Sequence, residues 1–308
     1  MLRRTYLGLS LNEAHIQAVA LHRQGKGVQL QAARTFGLKP GAINPALREV
    51  NLSNPQEMAE SIAEVLHPLA GREDRLALSL PDQAGRVILT EIESPFKTKQ
   101  EGIDILRWQL KKSLPSELSD ICLDFHVLSR SDTGRMRVVT SIMERGVLDQ
   151  YQDVVERAGF HALLIDFHSF NLYNYYRTRL DMGEDFVFIG LEGRVLSLEI
   201  FQGRGLVFHR VRDIAEDADL VFQELNRSLV GFQGGQAALR RSAVYLHCDW
   251  KDAGTVREAL TALFDKEPQL LDPHFERLMS LAAQGAGRPG PSMVAAVGAG
   301  ERLLWGAA

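Results

Sequence analysis

Residues 185–208 read DFVFIGLEGRVLSLEIFQGRGLVF, and the parsing of this stretch decides the fold. Residues 186–190 are an apolar run, residues 195–201 are rich in branched side chains, and residues 206–209 form a third short β run. Glu192-Gly193 and Gln202-Gly203 separate the three. Acid-glycine and polar-glycine pairs suit two-residue hairpin turns, because glycine takes positive φ without steric cost. A three-stranded meander is therefore expected. The same order occurs near the N-terminus, where residues 6–21 read YLGLSLNEAHIQAVAL and Gly25-Lys26-Gly27 leads into residues 28–34. Each copy is followed by a predicted helix and a further strand, so the sequence describes an α/β protein built by duplication.

At 308 residues the chain has room for two moderate domains, or for one domain with an inserted module. Its apolar content of 45% and charged content of 24% are those of a soluble globular protein. A net charge of -4 argues against a nucleic-acid groove, which needs a basic face to neutralise phosphates. No polybasic tract favours direct adsorption to a membrane. Cys122 and Cys248 are the only cysteines, which excludes a disulfide framework and a Cys-rich zinc site and suits a reducing compartment. Arg3-Arg4 is the kind of start a signal peptide has, but Ser10, Asn12, Glu13 and His15 interrupt the apolar run that such a peptide needs. With no apolar stretch of roughly 18 residues either, a cytoplasmic protein is expected.

Asn54-Pro55-Gln56-Glu57 reads as an N-cap, a first-turn proline and an acid at the third helical position, and Met58, Ile62, Val65, Leu66 and Leu69 share the face behind it. Residues 75–80 read as a strand ended by Pro81-Asp82. From Arg86 onward the repeat is interrupted. Residues 86–93 read as a strand, and Thr98 with Glu101 forms a second capping signal for a helix carrying Ile103, Leu106, Leu110 and Leu114 to a stop at Pro115. Residues 121–128 and 136–143 are strands around a Ser-Asp-Thr-Gly loop, and Val147, Leu148, Tyr151, Val154, Val155 and Ala158 line a helix closed by Gly159. This order, βαββα, predicts an inserted subdomain over residues 86–159. Residues 161–166 then read as a strand and 169–180 as an aromatic-rich helix. In that helix the spacing places Phe167, Phe170 and Tyr173 in the core and leaves Tyr175 or Tyr176 as a surface candidate.

Two meanders, each followed by a helix and a strand, resemble the ground plan of the actin-like ATPase (ribonuclease H-like) fold. The likeness becomes more particular in the inserted module. Its position and order, the segment from Trp108-Gln109-Leu110 through Lys112, Leu114 and Pro115, the strand Leu123-Asp124-Phe125-His126-Val127-Leu128 and the turn Ala158-Gly159-Phe160 together resemble the type IV pilus assembly protein PilM family, relatives of the cell-division protein FtsA. The resemblance implies a first actin-like half over residues 1–85, completed by about 160–183, and the insert over 86–159. It implies a second half over 184–308.

In that family a phosphate loop of the form Asp-hydrophobic-Gly-Ser-Ser-Ser-hydrophobic-Lys holds ATP. The matching positions here read Ser10, Leu11, Asn12, Glu13, Ala14, His15, Ile16 and Gln17, so the Asp, the Gly and the Lys are all replaced. Glu13 would set a carboxylate among phosphates, where like charges at ~4 Å cost about 1 kcal/mol even in bulk water. In the second loop the family's Asp-hydrophobic-Gly falls on Gly190, Leu191 and Glu192. The adenosine turn falls near His247-Cys248-Asp249-Trp250 and has no glycine run. Residues 210–242 have room for roughly one long helix at 1.5 Å per residue, where the family carries a larger lobe. A fold that has lost its nucleotide is expected, with no cofactor and no metal.

Adjacent strand residues point to opposite faces, so His247, Cys248 and Asp249 do not converge as nucleophile and base, nor with His209 as a metal site. His126, His161 and His168 have no ligand spacing. Gly285-Ala286-Gly287-Arg288-Pro289-Gly290-Pro291 looks like a phosphate cradle, but its prolines lack the N–H donors, and it reads as a loop before a last helix.

The resemblance implies a non-catalytic cytoplasmic scaffold of a type IV pilus or related type II secretion machine. Its partner would be the N-terminal cytoplasmic segment of an inner-membrane PilN-like protein, met in a cleft between the inserted module and the first half, beside Arg86, Val87 and the residues up to Thr90 and around Lys112, Leu114 and Pro115. The alternatives are an active ATPase or sugar-kinase-like phosphotransferase, and a self-associating filament protein.

Overall fold

The repeated strand-turn-strand pattern builds two sheets with the same strand order. The computed structural model describes residues 4–93, 95–111, 120–232, 236–279 and 289–306, with 236–238 by backbone only. The first meander is β1 (Thr5–Leu11), β2 (His15–Gln24) and β3 (Gly27–Gly37), followed by α1 (Pro55–Ala70) and β4 (Arg75–Leu80), which lies parallel to β1. The interruption supplies β5 (Arg86–Ile92), α2 (Lys99–Leu110), β6 (Ile121–Arg130) and β7 (Met136–Glu144). The first half resumes with α3 (Arg145–Arg157), β8 (His161–Phe167) and α4 (His168–Arg177). The second half repeats the plan: β9 (Phe186–Glu192), β10 (Val195–Gln202), β11 (Gly205–Asp213), α5 (Ala218–Val230), α6 (Gln236–Arg241), β12 (Ala243–Cys248), α7 (Ala253–Phe264), β13 (Gln269–Leu270) and α8 (Val294–Trp305). The sheets run β3-β2-β1-β4-β8 and β11-β10-β9-β12-β13, and a separate three-stranded sheet runs β5-β7-β6.

The helix starts follow the expected chemistry. Asn54 accepts the N–H of Glu57 at 3.2 Å, and Thr98 accepts that of Glu101 at 3.2 Å. Glu101 reaches back to the N–H of Lys97 rather than to that of Thr98. Behind these caps α1 buries Met58, Ile62, Val65 and Leu66 against the first sheet.

Packing corrects the extent of the inserted module. Val147, Tyr151, Val154 and Val155 of α3 are buried in the same core as α1, whereas Ile92, Leu106, Leu110, Met136, Val138 and Ile142 form a small core of their own. The packing unit of the insert is therefore βαββ, ending near Glu144. The amphipathic stripe of α3 foretold a buried face but not which sheet would cover it. The stretch between β11 and β12 holds the short α6 as well as α5, where one helix was expected.

α4 and α8 lie between the halves. Tyr175 and Tyr176 are fully buried there, while Phe170 and Tyr173 are half-buried, which reverses the expectation of a tyrosine surface platform. One-faced periodicity fails because α4 is covered by α8 on one side and the second sheet on another. The approach of the helices demands glycine: a Cβ on Gly298 would come within 2.2 Å of the Asn171 carbonyl oxygen. At the end of α8, Glu301 pairs with Arg179 and Arg302 pairs with Asp166. Among the described residues no helix is long and apolar enough to cross a membrane.

Candidate functional site

The β1–β2 and β9–β10 turns lie at the seam between the halves, where Glu13 of the first feels Arg194 of the second, and in each turn a side chain holds backbone donors. Asn12 Oδ1 accepts the N–H groups of Ala14 at 2.9 Å and His15 at 2.7 Å. Across the seam, Asp249 Oδ1 accepts the N–H of Gly193 at 3.0 Å, and the Trp250 indole donates to the Gly193 carbonyl at 2.7 Å. A phosphate cradle works by presenting free N–H groups to anionic oxygens. Here side chains already take that place. Glu13 is half-buried, and its carboxyl is raised first by burial and then by Asp213, with Arg194 opposing. It therefore lies near the ends of β9–β10 and β11.

The positions matched to metal and phosphate ligands are equally filled. Ser10, only 1% exposed, lies 3.1 Å from His168 Nε2. Gln17 donates to Ser292 at 2.8 Å, next to the start of α8. At Gly190 a Cβ would stand 2.5 Å from Ser197 Oγ and 3.0 Å from a Leu172 methyl, so this position has no room for an aspartate as packed.

Below the turns, two strings of polar side chains cross from one half to the other. In the first, His168 Nδ1 is 3.9 Å from Glu192, the other Glu192 oxygen is 3.6 Å from His247 Nε2, and Tyr176 OH is 2.9 Å from His247 Nδ1. In the second, Asp82 accepts the N–H of Ser169 at 3.1 Å and its hydroxyl at 2.5 Å, and Ser169 Oγ lies 3.1 Å from His209 Nε2. His209 in turn stands 3.7 Å from Glu199, whose two carboxyl oxygens are buried without a hydrogen-bond partner among the described residues.

Burial governs the charges here, since a low-dielectric seam disfavours every ionised form. It raises Glu192 to about 8 and Glu199 well above the usual carboxylate range. Asp82 rises to about 7 by burial despite its bonds from Ser169, and Asp249 to about 6 by burial and then the nearby Glu192. His168, His209 and His247 are each held down to about 4 by burial. The order Ser10, His168, Glu192 has the sequence of hydroxyl, base and acid, with the hydroxyl only 1% exposed.

Sequence reasoning picked out Glu192 and His247 separately and treated His168 as structural; it did not bring the three together. The only signal was an acid closing the apolar run of β9. His126 and His161 are exposed and join neither string. Cys248, with its thiol pushed up to about 11 by burial, lines a cavity of about 450 Å³ with Trp250, Leu271, Pro273 and Phe275 instead of a glycine turn. Among the described residues the gathering of possible metal ligands is Asp272, His274 and Glu276 at the surface, where His274 Nδ1 already lies 3.2 Å from Glu276 and 3.6 Å from Asp272.

On the inserted module Arg86 is exposed and Val87 packs against the first half's core. Lys112, Leu114 and Pro115 lie outside the described residues. A groove of about 520 Å³ runs between β5 and α2, lined by Thr90, Glu91, Glu93, Ile105, Trp108 and Gln109. Trp108 is 72% exposed. Sequence reasoning looked beside residues 86–90, the last of which, Thr90, lines this groove, but it did not single out Trp108, which falls outside the apolar stripe of its helix.

A solved structure, a PilM-PilN type IV pilus biogenesis complex, superposes on the chain with a TM-score of 0.78 at 20% identity, covering 98% of this chain and 99% of that one. The cytoplasmic domain of EpsL, an inner-membrane component of the type II secretion system of Vibrio cholerae, gives 0.52 at 13% identity, covering 93% and 97%. The ethanolamine utilization protein EutJ from Carboxydothermus hydrogenoformans gives 0.52 at 9% identity, covering 97% and 90%. These likenesses identify the duplicated architecture as the actin-like ATPase fold. No curated protein sequence matches the chain significantly. Over residues 8–215, well over half its length, the sequence matches the profile described as type IV pilus assembly protein PilM, and the chain belongs to that family.

Proposed function

We propose that this protein is a non-catalytic member of its family: a scaffold in type IV pilus assembly whose nucleotide cleft is filled by its own side chains. The observation that carries this reading is the occupation of both phosphate-loop positions, by Asn12 on the N–H groups of Ala14 and His15 and by Asp249 on that of Gly193. ATP would have to break these bonds and then lie beside Glu13 and Glu192. Each such bond contributes a net of about 0.5–1.5 kcal/mol that a nucleotide must replace.

The partner is an inner-membrane PilN-like protein, a reading supported by family membership and by the likeness to the PilM-PilN complex. Its N-terminal cytoplasmic segment binds the inserted module at the groove between β5 and α2, where the exposed Trp108 offers an anchor and β5 is an edge strand open to backbone pairing. Such contacts hold the scaffold at the cytoplasmic face of the membrane. Calorimetry with ATP and magnesium tests the first part: silence is expected, and micromolar binding overturns the non-catalytic reading. Capture of the chain by a synthetic peptide of the PilN-like N-terminus tests the second.

A further inference from the structure

α1 and α5 follow the third strand of their respective meanders, and packing puts them on opposite flanks of the molecule. Leu7, Leu9 and Leu11 of β1 share a core with Ile62 and Val65 of α1 and Val154 of α3. Val187, Ile189 and Leu191 of β9 share another with Val221 and Leu225 of α5 and Leu260 of α7. The core of α4 and α8 takes Val19 and Leu21 from the first sheet and Phe186 and Phe188 from the second, side chains that point to the other face of each. The outer sides of α1 and α5 therefore look away from each other into solvent.

On α5 three guanidinium groups converge on one carboxylate. Glu224, whose side chain is 13% exposed, has Arg210 Nη2 at 3.3 Å, Arg212 Nε at 3.3 Å and Arg227 Nη1 at 3.1 Å. A single carboxylate cannot neutralise all three, and Arg227 keeps 72% of its side chain exposed. Arg210 Nε is buried without a hydrogen-bond partner among the described residues. Leu220 and Val230, both exposed, share the outer stripe of α5 with Arg227. Asp217 and Asp219 make the start of the same helix acidic.

α1 carries the reverse pattern. Lys39 stands at its start, paired with Glu57 at 2.6 Å and largely exposed, and Glu60 and Glu64 follow on the outer face one turn apart. The partner of Glu60 is the neutral amide of Gln56. Val50, also exposed, adds an apolar spot to this flank, since the next residue, Asn51, donates its N–H to Gln150 of α3.

We propose that α5 of one copy of this chain docks on α1 of a second copy, a head-to-tail contact that sets Glu60 and Glu64 against Arg212 and Arg227. With the two helices running in the same direction, Lys39 also meets Asp219, so the charges match at both ends. The spacing agrees: at 1.5 Å per residue Glu57 and Glu64 are about 10 Å apart along α1, and Asp219 and Arg227 about 12 Å apart along α5. A flat anionic surface fits less well, because Asp217 and Asp219 stand on the same helix as Arg227. The two surfaces differ and lie on opposite flanks, so the contact is heterologous and can repeat from copy to copy.

Sedimentation velocity on the full chain tests the contact. In about 50 mM salt the weight-average mass of the native protein is expected to rise with concentration up to about 200 µM, and about 500 mM salt is expected to weaken the association by about tenfold or more. Arg212→Glu with Arg227→Glu reverses the α5 surface, and Glu60→Arg with Glu64→Arg reverses that of α1; all four positions are exposed. Each double variant alone is expected to be monomeric. Their equimolar mixture is expected to form dimers again, because the first keeps a native α1 and the second a native α5. Should a reversed variant fail to fold, Arg227→Gln and Glu64→Gln replace them, each expected to weaken native association by about threefold or more. Native protein that stays monomeric at about 200 µM in low salt assigns the arginines to an acidic segment of another protein and overturns the proposal. A mixture that stays monomeric, or self-association that the variants leave undiminished, overturns it as well. Nucleotide does not enter the contact, so ATP binding found by calorimetry would leave it standing.

Discussion

Asp249 holds the N–H of Gly193 from the turn that follows the neighbouring parallel strand. In a nucleotide-binding relative of this architecture the same backbone donor would face phosphate. The bond is intramolecular and preformed, so it competes with a ligand at no cost in translational entropy, and Trp250 closes the other side of the same residue. Replacing Asp249 by Ala is expected to lower stability by about 0.5–1.5 kcal/mol through the lost hydrogen bond, since the exposed Gly193 N–H can turn to water. It is not expected to create ATP affinity, because Asn12 still occupies the other turn; calorimetry on the variant checks both statements.

The same geometry predicts that the phosphate loop cannot be restored by rewriting it alone. Ser10→Asp, Asn12→Gly and Glu13→Ser together return a family-like first loop, yet Gly193 remains bonded to Asp249 and position 190 still has no room beside Ser197 and Leu172. Ser10→Asp also sets a carboxylate against His168, where a hydroxyl now lies at 3.1 Å. Phosphate-release assays are expected to find no hydrolysis. Measurable turnover would show that the second loop is competent after all.

The buried titratable groups fix a direction for stability against pH. Glu192 and Asp82 keep protons in the fold that the unfolded chain releases above its ordinary carboxylate values, so each lowers stability as pH rises toward about 8 and about 7 respectively. The three histidines act oppositely: the unfolded chain takes protons below about 6.5 that the fold refuses until about 4, so stability falls as pH drops through that range. Between pH 4.5 and 6.5 the two trends offset each other. From pH 6.5 to 8 the carboxyls act alone, each by up to about 1.4 kcal/mol per pH unit. Thermal midpoints are expected to decline over that upper window, and Glu192→Gln is expected to flatten the decline.

The duplicated meander was legible because hairpin turns are local chemistry: the glycines at 193 and 203 announce them, although the two-residue turns fall on Gly193-Arg194 and Gly203-Arg204, one residue later than the expected Glu192-Gly193 and Gln202-Gly203. The caps at Asn54 and Thr98 were legible for the same reason. What the sequence withheld was allegiance. The stripe on α3 shows that Tyr151 is buried, but only the chain's return to the first sheet decides that it packs with α1. Tyr175 and Tyr176 were misread because a helix enclosed by two neighbours has no free face. Glu192, His168 and His247 come from three elements whose approach no local pattern records.

The exposed Trp108 makes a sharper test of the partner surface than any buried residue. Trp108→Ala is expected to weaken capture of the PilN-like peptide by about tenfold or more, as loss of an aromatic anchor does. At 72% exposure the change should alter folding stability by no more than about 0.5 kcal/mol. Undiminished capture in the variant would move the docking surface elsewhere on the chain.

The junction of α4 and α8 carries the last prediction. Alanine is a better helix former than glycine by about 1 kcal/mol, so Gly298→Ala would stabilise a helix with space around it. Here the new methyl would stand 2.2 Å from the Asn171 carbonyl oxygen, and backbone does not yield as a side-chain tip does. α8 must then shift away from α4, loosening the packing of Tyr175, Tyr176 and Val297 in the shared core, and such overpacking typically costs about 1–3 kcal/mol. The matched control is Gly254→Ala in α7, whose methyl would meet only Asp252 Oδ1 at an ordinary 3.5 Å. Differential scanning calorimetry is expected to show a midpoint lowered by several degrees for the first variant and unchanged or slightly raised for the second. Equal midpoints would mean that the two helices can separate without loosening the shared core.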